Sequence, residues 1–190
     1  LTITHALKRC RRLVVPLKAE NISKSFGATQ ALQNVSLSLS EGKVHALVGE
    51  NGAGKSTLFK ICAGALTRDT GTMTIDGEAY APNNLREAQE AGVALVFQEM
   101  TINPSLTIAE NIFIDRMRDH VGPFGLTRWK RLSKAAQDLL DEIDAGILVS
   151  QDLKSMDLGQ LKVLEVARAL SYRPRVLLLD ESTAFLSTQE

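Results

Sequence analysis

Nine residues, Gly49-Glu50-Asn51-Gly52-Ala53-Gly54-Lys55-Ser56-Thr57, constrain this chain more than any other stretch. They fit G-x-x-x-x-G-K-[ST], the pattern of a phosphate-binding loop. The glycines permit a backbone curl that a side chain would forbid. Successive N–H groups, Glu50, Asn51 and Ala53 among them, then point inward at α- and β-phosphates. Lys55 brings a compact positive charge to the β- and γ-phosphates. The Ser56 hydroxyl is placed to hold Mg²⁺. A helix starting near Gly54 would aim its positive end at the same anion.

The pattern needs a strand before it and a helix after it. Val44-His45-Ala46-Leu47-Val48 is a short apolar run ending at Gly49, which predicts a buried strand. Ser56 to Ala65 carries Leu58, Phe59, Ile61, Cys62 and Ala65, a face suited to a buried helix. Four apolar residues, Val176-Leu177-Leu178-Leu179, lead into Asp180-Glu181. A carboxylate at the end of a buried strand is costly unless a cation meets it, so Asp180 is a Mg²⁺ ligand candidate. Glu181 is the candidate general base for an attacking water. A strand ending in two acids is a weak signal alone and a persuasive one beside the loop.

The rest of the chain reads as an α/β protein. Strands are expected at Leu17–Ile22, at Val35–Leu39, where apolar and polar residues alternate, and at Thr72–Asp76. Asp76-Gly77 is a hairpin signal. Thr67 to Gly71 is a polar turn, and Leu85 to Ala91 a helix. Val93–Phe97 is a buried strand with Gln98 at its end, where ligands meet side chains in α/β sheets. Thr107 and Glu110 form a capping box opening a helix through Ile114. Gly122, Pro123 and Gly125 break the chain. Arg128 to Ile143 is amphipathic, with Trp129, Leu132, Ala136, Leu139, Leu140 and Ile143 on one side. Another helix carries Leu161, Leu164, Val166, Ala167 and Leu170. Residues of about 104–172 are therefore a mostly helical insertion between two strands of an α/β core. The spacing leaves Phe26 open between a core residue and a flat surface for a purine ring.

Composition narrows the class. The 190 residues carry 22 basic and 22 acidic side chains, so no nucleic-acid partner is expected. Two separated cysteines, Cys10 and Cys62, match no metal spacing and fit a reducing compartment, with Cys62 a small core residue. No apolar run approaches the ~20 residues of a membrane-spanning helix. Residues 1–16, with Lys8, Arg9, Arg11 and Arg12, differ in character from residues 17–190 and read as a tail or as upstream sequence, with a segment for a membrane surface or anionic partner as the alternative.

From residue 17 to 190 the chain resembles the ATPase domains of ABC transporters, and within them the first ATPase half of monosaccharide importers of the ribose, galactose and xylose type. The motifs that carry this are GENGAGKSTL, TRDTG, VFQE, LTIAENIF, LEVARALS and LLLDESTAFLS. The resemblance implies a P-loop hydrolase core with an antiparallel β subdomain and an inserted helical subdomain. It implies that Phe26 stacks on adenine, that Gln98 links γ-phosphate and Mg²⁺ to the helical subdomain, and that Glu181 is the catalytic base. Met156-Asp157-Leu158-Gly159-Gln160 would be the signature segment that a partner domain's nucleotide meets. ATP and Mg²⁺ are the implied ligands. The implied partners are a second ATPase domain, in the same longer chain or a homodimer, permease subunits and a sugar-binding protein. The implied location is the cytoplasmic face of the membrane, as a peripheral subunit.

Three substitutions and one absence depart from the family pattern. Asp157 replaces the usual Ser, Ser182 stands where Pro is usual, and Ser187 lies near a frequent Asp. No His comes after Glu181 in the place of the family's switch His, since His5, His45 and His120 all come earlier. On that ground a C-terminally incomplete domain is expected, inactive alone. The alternative is a nucleotide-binding module that does not hydrolyse.

Overall fold

The computed structural model describes residues 17–122 and 125–180. Of these, residues 17–95 and 172–180 form one unit, and residues 96–171 form another.

The first unit is built on a four-stranded antiparallel sheet, in the order β2-β1-β3-β4. Its strands are β1 (Leu17–Phe26), β2 (Thr29–Ser38), β3 (Thr70–Ile75) and β4 (Glu78–Ala79). β1 runs four residues past the expected Ile22, so Phe26 is its last residue, paired with Thr29 of β2 across a tight turn. The β3–β4 turn is Asp76-Gly77, with both residues at positive φ (55° and 81°). That is the turn whose twist matches a two-residue hairpin. Leu17, Ala19 and Ile22 of β1 are fully buried.

Helix α1 (Lys55–Cys62) buries Leu58, Ile61 and Cys62 against this sheet's apolar face. Each such Leu or Ile contributes about 1.5–3 kcal/mol by leaving water. Ala65, expected on the buried face, lies beyond the helix and is exposed. Helix α2 (Leu85–Glu90) is capped by Asn84, whose side chain accepts the Glu87 N–H. Two further strands, β5 (Val93–Val96) and β6 (Val176–Leu179), pair with each other. Val93, Val176 and Leu178 belong to the same core as Leu58 and Ile61.

The expected strand at Val44–Val48 does not form. None of the described strands pairs with it, and Val44 and Val48 are 76% and 89% exposed. An apolar run records readiness for burial on both faces. The partner edge and the covering layer must come from elsewhere in the chain, and none of the described elements supplies them.

The second unit is helical. α3 (Ile108–Phe113) opens with the expected capping box: Thr107 accepts from the Glu110 N–H and Glu110 from the Thr107 N–H. A 3₁₀ segment comes next, at Ile114–His120. α4 (Trp129–Glu142) and α5 (Leu158–Ser171) complete the unit, with a 3₁₀ turn at Leu153–Ser155. Leu132, Ala136, Leu140 and Ile143 are buried as expected, whereas Trp129 is exposed. Trp129 is the first residue of its helix, a turn away from the buried Leu132.

Candidate nucleotide site

The Gly49–Thr57 segment forms a tight loop that runs straight into α1. Gly52 and Gly54 have φ of 83° and 86°, which an L side chain rarely adopts. Gly54 has a second constraint. A Cβ there would stand 2.5 Å from the Ala31 carbonyl oxygen and 2.7 Å from Leu32 Cδ2, both in β2. The loop and the β1–β2 hairpin thus meet at a contact that only glycine fits.

Gly54 is the N-cap of α1, and no side chain caps that helix start. Its first N–H groups, on Lys55, Ser56 and Thr57, have no partner within the helix. They are free to donate to an anion, with the helix dipole behind them. The Lys55 ammonium donates to the carbonyls of Gly49 and Glu50, at 2.8 Å each. It folds back across the loop, and an ammonium with three donors keeps one for an oxygen arriving in the curl.

Ser56 is the second residue of α1. Its hydroxyl donates to Asp180 Oδ1 at 2.8 Å. Asp180 directly follows β6 and is 3% exposed. The fold therefore brings together two residues 124 positions apart, one from each half of the sequence pattern. Both contribute hard oxygens. No group of three His, Cys, Asp or Glu side chains suited to a metal occurs among the described residues. This donor set fits Mg²⁺, which binds through one or two protein oxygens plus substrate phosphates and waters. It does not suit a metal that needs an all-protein cage.

Phe26 is 50% exposed at the end of β1. Its hairpin is the one whose Ala31 and Leu32 lie against Gly54, so the ring belongs to the same unit as the loop. Gln98 lies two residues past β5, is exposed, and belongs to the helical unit. So do Met156 to Gln160. There Asp157 precedes α5: its Oδ1 accepts the Gln160 N–H at 2.8 Å, and Gln160 Oε1 accepts the Asp157 N–H at 3.2 Å. This reciprocal cap is what an Asp can do as well as a Ser. Glu181, Ser182 and Ser187 lie outside the described residues.

Sequence reasoning passed over two charged clusters. On α5, Lys162 and Glu165 are 2% and 5% exposed and pair at 2.7 Å. Lys162 also donates to the carbonyls of Phe97 and Gln98, at 3.1 and 3.0 Å. Glu165 accepts the N–H and hydroxyl of Thr101, at 2.5 and 2.8 Å. Their helical spacing from buried Val166 and Ala169 was the available signal. The second cluster is Asp69 with Lys24 and Ser25.

A glycine-rich anion loop opening a helix, with a hydroxyl–carboxylate pair beneath it, on an α/β core with an antiparallel sheet and a helical unit: this is a P-loop nucleoside triphosphate hydrolase fold. Residues 32–184 match the family model described as ABC transporter. The chain belongs to that family, as an ATP-binding domain.

Among its curated relatives, the ribose import ATP-binding protein RbsA of Yersinia pestis is 41% identical over 174 residues, 92% of this chain and 34% of the relative. The arabinose import ATP-binding protein AraG of Mannheimia succiniciproducens shows the same identity and coverage. The chain thus spans about a third of the length of these relatives. A crystal structure of a nucleotide-free ATP-binding cassette from an ABC transporter superposes with a TM-score of 0.77 at 28% identity, covering 91% of this chain and 71% of that one. A cassette in its ADP conformation gives 0.75 at 28%, covering 90% and 70%. No helix among the described residues is long and apolar enough to cross a membrane.

Proposed function

We propose that this chain is the ATP-binding and ATP-hydrolysing part of a monosaccharide importer. It acts at the cytoplasmic face of the membrane with a second ATPase domain, permease subunits and a sugar-binding protein. Residues 17–190 form one ABC-type ATP-binding domain, with its helical subdomain at about 104–172. The observation that carries this reading is the approach of Ser56 to Asp180 beside the Lys55 loop. The similarity to ribose and arabinose import proteins supports the sugar class.

In this reading the N–H groups of the Gly49–Thr57 loop hold the α- and β-phosphates, and Lys55 reaches the β- and γ-phosphates. Phe26 stacks on the adenine. Ser56, Asp180 and Gln98 hold Mg²⁺, which when bound neutralises charge on the β- and γ-oxygens. Glu181 takes the proton of the attacking water. Met156 to Gln160 meet the nucleotide of the partner domain.

Lys55→Ala should weaken MgATP binding by about tenfold or more, since contacts to charged groups contribute about 1.5–3 kcal/mol. Equilibrium titration checks this, and unchanged affinity would sink the phosphate-loop assignment. In a two-domain protein, Glu181→Gln should remove most turnover and leave binding. Steady-state ATPase assays read the difference.

A further inference from the structure

Among the described residues, the tip of the β1–β2 hairpin past Ser23 pairs with no strand but its own partner. Pairing of β1 with β3 ends at Ser23↔Thr70, and the β1–β2 register shifts twice between Ile22 and Ser25. Phe26 lies beyond both irregularities.

Asp69, the residue just before β3, continues the ladder with its side chain. Its own N–H donates to the Ser23 carbonyl at 2.9 Å. Its Oδ2 accepts the Ser25 N–H at 2.7 Å, and its Oδ1 accepts from the Lys24 ammonium at 2.7 Å. The Lys24 hydrogen bond first, and then the Ser25 N–H, hold the Asp69 carboxyl below the ordinary range. Lys24 is half of a second contact. Its side chain is only 12% exposed, and its ammonium stands over the Phe26 ring, 5.6 Å from the centroid. A cation over an aromatic face is an attractive pairing. It also takes that face, so a ligand ring has the opposite one.

We infer that Asp69 is a positioning residue for the base end of the nucleotide site: through Lys24 and the Ser25 N–H it fixes Phe26 with one face closed and one open to a purine ring. This rests on Phe26 being the stacking residue. The phosphate end has its own local hold, the Lys55 ammonium on the Gly49 and Glu50 carbonyls, which Asp69 does not touch. Asp69 therefore acts on discrimination between a nucleotide and a bare polyphosphate.

The test compares MgATP with magnesium tripolyphosphate, titrated into the chain and into Asp69→Asn, Lys24→Met and Phe26→Ala. Base–aromatic stacking removed by alanine costs about fivefold or more. Asp69→Asn and Lys24→Met should each weaken MgATP by about three- to tenfold and leave tripolyphosphate within twofold. Adding Asp69→Asn to Phe26→Ala should cost nothing more. Should Asp69→Asn fail to fold, Lys24→Met reads the same contact. Equal weakening of both ligands, or no weakening of MgATP, overturns the inference. If Phe26→Ala spares the MgATP-to-tripolyphosphate ratio, the stacking assignment itself falls. If Phe26→Ala lowers that ratio and neither Asp69→Asn nor Lys24→Met does, only the role of Asp69 falls. A chain that binds neither ligand overturns both.

Discussion

Cys62 and Tyr80 show how far single residues are set by their surroundings. The Tyr80 hydroxyl donates to the Cys62 carbonyl at 2.8 Å, inside the core of the first unit. Burial pushes the Cys62 thiol from 9.0 up to about 12. Burial, with the neighbouring Cys62, raises Tyr80 as well. Both groups keep their protons in the folded chain at a pH where the unfolded chain loses them. The stability they contribute is therefore complete below about pH 9 and is lost as pH rises toward 12. For Cys62 alone the slope approaches about 1.4 kcal/mol per pH unit in that window. The unfolding free energy measured in urea should fall between about pH 9 and 12 in the wild type, on the order of that slope, and less in Cys62→Ala. In a Cys10→Ser background, Cys62 should resist a thiolate-specific reagent at about pH 8 and react fully in urea. A native chain that reacts at once would contradict its burial.

At the scale of elements, local chemistry was legible and remote chemistry was not. The Asp76-Gly77 turn, the Thr107–Glu110 box and the Leu132, Ala136 and Leu140 stripe of α4 are each specified within a few residues and stand where the sequence puts them, although Trp129, expected on that stripe, is exposed. Ser56 and Asp180 were also legible, because each half of the pattern carries its own signature. The Lys162–Glu165 pair was not. Its spacing from Val166 and Ala169 marks it for burial, but its partners, the backbone of Phe97, Gln98 and Thr101, lie more than sixty positions away, and nothing near Lys162 identifies them. Val44–Val48 failed for the complementary reason, since a strand is a property of two segments and the run describes one. The buried pair makes a sharp prediction. Lys162→Met leaves the Glu165 carboxylate buried without its cation, which costs about 3–5 kcal/mol. Lys162→Met with Glu165→Gln keeps an acceptor for Thr101 and removes the charge, so it should recover much of that loss. Chemical denaturation of the single and double variants checks the order, and equal destabilisation would refute it.

At the scale of the whole molecule, the described residues with proposed roles are shared between two units. Lys55, Ser56, Asp180 and Phe26 belong to one, and Gln98 and the Met156–Gln160 segment to the other. Asp157 is the position where the family pattern and this chain part. Its carboxylate caps α5 through the Gln160 N–H, and an ionised Asp cannot donate to a γ-phosphate. At about 4 Å the repulsion between the two charges is about 4 kcal/mol at an effective dielectric of about 20, before screening. In the proposed pairing with a second ATPase domain, this segment faces that domain's nucleotide. That site should hold nucleotide without turning it over, while the site built on Lys55 hydrolyses. Asp157→Ser in a two-domain protein should then tighten nucleotide at the second site and change the overall ATPase rate by less than about twofold, given that Ser caps comparably. A large rise in rate would show instead that Asp157 restrains a competent site.

The contact of Gly54 with β2 has a further consequence, for how this sequence can drift. Gly42 and Gly54 share the same sign of φ, yet a side chain at Gly42 would meet nothing within 4 Å, whereas one at Gly54 would strike a backbone carbonyl at 2.5 Å. Position 42 is open to the residues that tolerate a left-handed backbone, Asn and Asp foremost. Position 54 is closed twice over, once by its own dihedrals and once by a neighbouring strand that no rotamer change can move aside. The hairpin that carries Phe26 and the loop that carries Lys55 are thereby tied in their histories: a lineage can rewrite the surface of either one, but the point where they touch leaves it no alternative letter.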